Sequence, residues 1–182
     1  MIAIGEIGLD YPYKREEQHR PKQHVWLVYQ LNLARKMKLP VVLHVRDAHE
    51  DALRIRKWPP ARKLGGVIHC FYGSKEIAEQ YLKLGYHIGI GSSVLQLKET
   101  GKGSVGSDST DPIGTYFGRD RCHIHTALLQ RCDPAQTPPL CPEYLADSPA
   151  VIKKIAELNG VSLDEVERAT TENTIRLFSL SI

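Results

Sequence analysis

The chain has 182 residues, of which 42% are hydrophobic and 25% charged, with a formal net charge of +3. These values are those of one ordinary globular domain and exclude a disordered tail or a fibrous protein. A surplus of only three basic groups neither announces nor excludes a polyanionic partner. The four cysteines, Cys70, Cys122, Cys132 and Cys141, include no CxxC pair, so reduced thiols are expected rather than a disulfide framework or a zinc ribbon. No apolar run has the length of a membrane span or a signal segment, and a cytoplasmic or nuclear protein with no membrane partner is expected.

In chain order, Ile2 to Ile7 reads as a short buried strand and Leu9 to Pro21 as a polar loop. Leu27, Val28, Leu31 and Ala34 then fall at helical spacing, giving a helix of roughly four turns that Pro40 closes. Pro40 to Val45 is a second strand, followed by an Asp47 cap and a helix to about Lys57. Gly65 to Cys70 is a third strand. A helix from Ser74 ends at Gly85, and Tyr86 to Ile90 is a fourth strand. Beyond it, residues 98 to 118 read as a long glycine-rich loop, Arg121 to Thr126 as a strand, and Cys132 to Pro149 as irregular. Ser148-Pro149 starts a helix that Gly160 ends, Ser162 and Glu165 form a capping box for another, and a last short helix from Glu172 to Leu180 turns Ile175 and Phe178 inward.

Strand alternating with helix demands parallel strands joined by right-handed crossovers, so the fold class is α/β, a barrel or an open doubly wound sheet. Glu6, His44 and His69 lie at or near the C-terminal ends of the first three strands, where such barrels gather their chemistry. A carboxylate and two imidazoles on one rim supply ligands for a divalent cation. Satisfied structural histidines at strand ends are the competing reading of the same spacing.

Several stretches carry a more specific signal. Gly5-Glu6-Ile7-Gly8-Leu9-Asp10-Tyr11, Gln30 to Ala34, Leu39 to Ala48, His69-Cys70-Phe71-Tyr72-Gly73-Ser74 and Thr170-Thr171-Glu172-Asn173 before Arg176-Leu177-Phe178 resemble, in order, the TatD family of metal-dependent deoxyribonucleases. The resemblance covers residues 1 to about 97 and about 147 to 180. It implies a TIM-type (β/α)8 barrel, here incomplete and lacking the first βα units, as one domain over residues 1 to 182 with an irregular variant segment at about 98 to 146. It further implies an intracellular hydrolase cutting phosphodiester bonds in DNA, often as an exonuclease, with divalent ions (Mg, Mn or Zn) at the barrel mouth. The family carries two ions. Glu6 takes the place of the carboxylate that bridges them, and His44 and His69 those of ligands to one.

Arg46 is a candidate for binding a phosphate oxygen in bidentate fashion, and a rim salt bridge with Asp47 or Asp51 is the alternative. Asp10 either positions substrate or closes a turn, the second being preferred. Phe71 and Tyr72 either stack on a nucleobase or pack against a neighbouring loop, the second again being preferred. The family's His-x-His pair on its first strand has no counterpart upstream of Glu6. Its last catalytic aspartate aligns with Ala127 or, after a shift, with Asp133, which is the candidate. The pair His123 and His125 reads as part of the variant segment rather than as a rebuilt metal site. A chain retaining half of the site is expected to bind one ion and to be slow, or to be an inactive binding module. An open first strand is expected to favour self-association.

Overall fold

The computed structural model describes residues 1–11, 18–57, 64–96, 124–126 and 142–181. Five strands form one sheet: β1 (Ile4–Asp10), β2 (Val41–Arg46), β3 (Gly66–His69), β4 (Tyr86–Ile90) and β5 (Ile124–Thr126). Every neighbouring pair is parallel, and the spatial order is the chain order, β1-β2-β3-β4-β5. A doubly wound sheet reverses its strand order at a switch point. This sheet does not reverse, so its strands form an arc of a (β/α) barrel. β1 stands at one end of the arc.

The crossovers are α1 (Arg20–Met37), α2 (His49–Lys57) and α3 (Lys75–Lys83), and the chain closes with α4 (Pro142–Asn159) and α5 (Leu163–Phe178). Strand period two separates the faces of the sheet. Ile7 and Leu9, then Val41, Leu43 and Val45, then Ile68, then Tyr86, Ile88 and Ile90 enter the core, which α1 joins through Leu27, Leu31 and Ala34. The opposite face carries Glu6, Asp10, His44, Arg46, His69 and His87. Every acidic, basic or imidazole side chain of β1 to β4 is thus on one face, because the registers Gly8↔His44, His44↔His69 and Val67↔His87 align those positions across the sheet.

The sequence reading needs five corrections. β1 runs through Leu9 to Asp10 instead of ending at Ile7, because Asp10 continues the ladder opposite Arg46, and Ile2 lies outside it and exposed. Asp47 does not cap α2. It adopts a left-handed conformation (φ 52) in the turn between β2 and the helix start at His49. Residues 142–148, read as irregular, are helical, and Pro149 sits inside α4, where it removes one backbone hydrogen bond without ending the helix. Glu172 starts no separate helix, since α5 is continuous from Leu163. Its buried residues are Val166, Thr170 and Asn173 rather than Ile175 and Phe178, which are half-buried. The Ser162 cap forms as expected, with Oγ accepting from the Glu165 N–H at 3.2 Å. The segment 98–118 lies outside the described residues. No helix among those described is long and apolar enough to cross a membrane.

Two glycines allow neighbouring strands to meet. A Cβ on Gly8 would lie 1.8 Å from the His44 carbonyl oxygen, and one on Gly66 2.3 Å from that of Val41. Gly8→Ala is therefore expected to lower the unfolding free energy by about 3 kcal/mol, at the upper end of overpacking costs. Gly160→Ala, at φ 63 with no atom near, is expected to lose only about 1–2 kcal/mol. Denaturant unfolding of the two variants measures the difference, and equal losses would contradict the close β1–β2 approach. Ser162→Ala is expected to cost about 1 kcal/mol through the lost cap, read as a lower midpoint with unchanged slope.

Candidate metal centre

The strands deliver their polar residues to one rim. β2 and β3 pair in register through His44 and His69, so the two imidazoles stand side by side on the same face. The chain then leaves each strand through a residue in the left-handed region, Asp47 (φ 52) after β2 and Cys70 (φ 44) after β3. Non-glycine residues hold this conformation only where their surroundings fix it. Here the Tyr11 N–H donates to the Arg46 carbonyl at 3.0 Å and the Phe71 N–H to the Gly89 carbonyl at 2.8 Å, extending the ladders past the strand ends.

Glu6 reaches across from β1. Its Oε1 lies 3.1 Å from His44 Nδ1, while Asp10 Oδ2 lies 3.4 Å from His44 Nε2. Arg46 clamps the Asp10 carboxylate with two bonds, Nε to Oδ1 at 2.6 Å and Nη2 to Oδ2 at 3.0 Å. The salt bridge anticipated for Arg46 exists, but with Asp10 instead of Asp47 or Asp51. Asp10 in turn is a strand residue rather than a turn closer. Its backbone N–H donates to Gln23 Oε1 at 2.8 Å, and its carbonyl accepts from Gln23 Nε2 at 3.0 Å, so the amide of α1 completes the end of β1.

His69 is buried, with 8% exposure. Burial, and secondarily the negative charge of Glu6, push the Cys70 thiol up, so at neutral pH it stays protonated and is a poor nucleophile. Its Sγ packs against Gly91, where a Cβ would come within 2.8 Å. The loop after β3 divides its aromatic residues. Phe71 is buried and meets Tyr81 edge-on, whereas Tyr72 is 70% exposed. His49 of α2 pins this loop: Nε2 donates to the Tyr72 carbonyl at 2.9 Å, leaving Nδ1 to accept from the Tyr81 hydroxyl at 3.2 Å. Packing thus claims Phe71 but not Tyr72.

A second polar cluster buttresses the rim where α1 and α2 begin. The Tyr11 hydroxyl donates to Asp51 Oδ2 at 3.0 Å and also meets His24, Arg20 lies 4.4 Å above the Tyr11 ring, and His24 pairs with Asp51 at 3.2 Å. Burial, reinforced by the Asp51 carboxylate, pushes the Tyr11 phenol up to about 12. Sequence reasoning missed Gln23, His24 and His49 as structural partners of this rim, and offered Asp51 as a partner of Arg46, where the structure pairs it with Tyr11 and His24. The only available signal was their position in the first turns of helices that follow strand ends.

The structure thus brings Glu6 and His44 into contact and sets His69 in register beside His44. The donor set, two imidazoles and two carboxylates, is that of a divalent cation site. His44 Nε2 supports such a role, being buried and forming no hydrogen bond of good geometry. Among the described residues no three His, Cys, Asp or Glu side chains stand so placed that they could together hold a metal ion. Ala127, Asp133 and His123 lie outside the described residues. His125 belongs to β5 by its backbone, opposite Gly89.

A family model described as TatD related DNase matches residues 1–109. The uncharacterized metal-dependent hydrolase YcfH of Escherichia coli K12 is 30% identical, the match covering 99% of this chain and 63% of the relative. The 3′-5′ ssDNA/RNA exonuclease TatD of Rahnella sp. is 33% identical over 100% of this chain and 66% of its own length. The chain therefore spans a little under two thirds of these relatives. Among solved structures, the TatD homologue YjjV of Escherichia coli K12 superposes with a TM-score of 0.72 at 28% identity, covering 98% of this chain and 64% of the other. With the motifs at the strand ends matched in sequence and the barrel arc matched in structure, the chain belongs to the family of TatD-related DNases.

Proposed function

We propose that this protein binds a divalent cation through Glu6, His44 and His69 and hydrolyses phosphodiester bonds in single-stranded nucleic acid, DNA first. The observation that carries the reading is the contact of Glu6 Oε1 with His44 Nδ1 at 3.1 Å, with His69 in register on the next strand. The relative named as an ssDNA/RNA exonuclease supports the substrate class. A bound cation at such a rim supplies Lewis acidity toward a phosphoryl oxygen and a more acidic water.

The chain's own residues have separate parts in this reading. Glu6 and the two imidazoles hold the cation. Arg46, whose side chain is 52% exposed while paired with Asp10, adds a phosphate contact. Asp133, which lies outside the described residues, is the further candidate for a catalytic carboxylate. Tyr72, exposed on a loop that His49 holds still, offers a face on which an unstacked base rests. A second reading, a nucleic-acid-binding protein without turnover, is favoured by the absence, among the described residues, of three His, Cys, Asp or Glu side chains so placed that they could together hold a metal ion.

Hydrolysis of a labelled single-stranded oligonucleotide in manganese separates the two readings. Turnover that Glu6→Ala reduces by about 10²-fold or more, as loss of a major electrostatic contribution does, is the expected result. Binding with no manganese-dependent cleavage would favour the second reading. For Tyr72→Ala, an affinity loss of about 5- to 150-fold is expected from one lost base stack, with Tyr72→Phe close to wild type. Fluorescence anisotropy in calcium measures it, and equal affinities of Tyr72→Ala and wild type would remove Tyr72 from the site.

A further inference from the structure

We infer that the solvent-facing side of α1 is a second binding surface for single-stranded nucleic acid, one that takes up the strand beyond the candidate metal centre. The inference shares its ligand with the proposed function and rests on that part of it. α1 is apolar on two sides. Leu27, Leu31 and Ala34 form the side packed into the core. Lys22, Trp26, Tyr29, Leu33 and Lys36, spaced alternately by four and three residues, form a second stripe, and all five are exposed. Trp26 and Tyr29 keep 61% and 65% of their surface in water, and Val25 and Met37 beside the stripe are exposed as well. A single exposed ring needs no explanation, but a contiguous apolar patch with a polar rim marks a binding surface.

Charge decides what binds there. α1 holds Arg20, Lys22, Arg35 and Lys36 and not one Asp or Glu. Four positive charges in a chain whose net charge is +3 put the whole basic surplus on this helix, so the complementary partner is anionic. A second copy of the chain does not fit, because two such stripes face to face would oppose lysines with no carboxylate on either helix. Trp26 and Tyr29 meet edge to face, with centroids 5.9 Å apart and planes at 82°. That geometry occupies one face of one ring and leaves the others for bases. Lysines flanking open rings are the combination that binds single strands, through phosphates and stacked bases together. The stripe also starts in the right place. Gln23, next to Lys22, holds the backbone of Asp10, and Arg20 lies 4.4 Å above the Tyr11 ring, so α1 begins at the strand-end rim that carries Glu6, His44 and His69. From Lys22 to Lys36 the stripe runs for roughly 20 Å along the helix, a length that spans several phosphates.

The test uses the whole chain in calcium, with a labelled single-stranded oligonucleotide and fluorescence anisotropy as the readout. Trp26→Ala is expected to weaken binding by about 5- to 150-fold, the worth of one lost base stack, and Trp26→Phe, which keeps a ring, by less. Lys22→Gln and Lys36→Gln should each reduce the slope of log affinity against log salt by about 0.7, as loss of one phosphate contact on a single strand does. A merely structural role would leave that slope alone, and these exposed lysines can be changed without disturbing the core. Unchanged affinity in Trp26→Ala together with an unchanged slope in both lysine variants would overturn the inference. So would a Trp26→Ala protein that binds the oligonucleotide as wild type does but loses self-association in sedimentation, or loses attachment to vesicles of phosphatidylserine and phosphatidylcholine, since the stripe would then belong to a second copy or to a membrane surface. Stripe-dependent binding without manganese-dependent cleavage would instead overturn the hydrolase reading and leave this surface standing.

Discussion

The pairing of β2 with β3 in register at His44 and His69 is the constraint on which the rest of the molecule depends. Side chains alternate between sheet faces with a period of two, so a slip by one residue in either strand would turn its imidazole into the helix-facing core and bring an apolar neighbour to the rim. Leu43 and Ile68, the residues just before the histidines, enforce the alignment by being nearly fully buried against the helices. Burial of one face thereby specifies the chemistry of the other. Gly8 and Gly66 contribute by letting adjacent backbones approach where a methyl group could not fit.

Fixing the register places the histidines but does not orient their rings. Orientation comes from side chains on the strand ends and the helix starts: Glu6, Asp10 and Arg46 around His44, and Gln23 on the backbone of Asp10. The next loop is stiffened in the same manner by His49, whose two ring nitrogens bind Tyr72 and Tyr81. The turns that follow β2 and β3 each contain a left-handed non-glycine residue. Such conformations cost free energy and persist where surrounding contacts over-determine them. Backbone bonds just past the strand ends, from the Tyr11 N–H to the Arg46 carbonyl and from the Phe71 N–H to the Gly89 carbonyl, flank these two turns.

Much of this was legible in the sequence. Tyr86 to Ile90 is a strand at the boundaries its apolar run suggested, and the strand-end positions of His44 and His69 followed from buried runs that end in a histidine. What escaped was non-local. Leu9 and Asp10 looked like loop because the partners that make them strand, Arg46 and Gln23, are 36 and 13 residues away. The partner of Arg46 was sought among nearby aspartates when the register supplies a distant one. The sequence reads as two helices here, one capped at Ser162 and one from Glu172, and the weak helix propensity of Thr170 and Thr171 at the junction does not separate them. In the fold, Thr170 Oγ1 bonds to the Val166 carbonyl at 2.9 Å and Thr174 Oγ1 to that of Thr170 at 2.8 Å, so these hydroxyls are satisfied within the helix. Pro149 was given too much weight as a start signal, since helix precedes it.

The central claim is that one face of the strand arc gathers Glu6, His44 and His69 around a single cation. The most direct measurement is anomalous scattering from crystals of the protein grown with manganese. The account predicts a peak within about 2.2 Å of ligand atoms of Glu6, His44 and His69, as for oxygen and nitrogen ligands of divalent metals. Crystals that carry manganese elsewhere, with no peak between these three side chains, would contradict it.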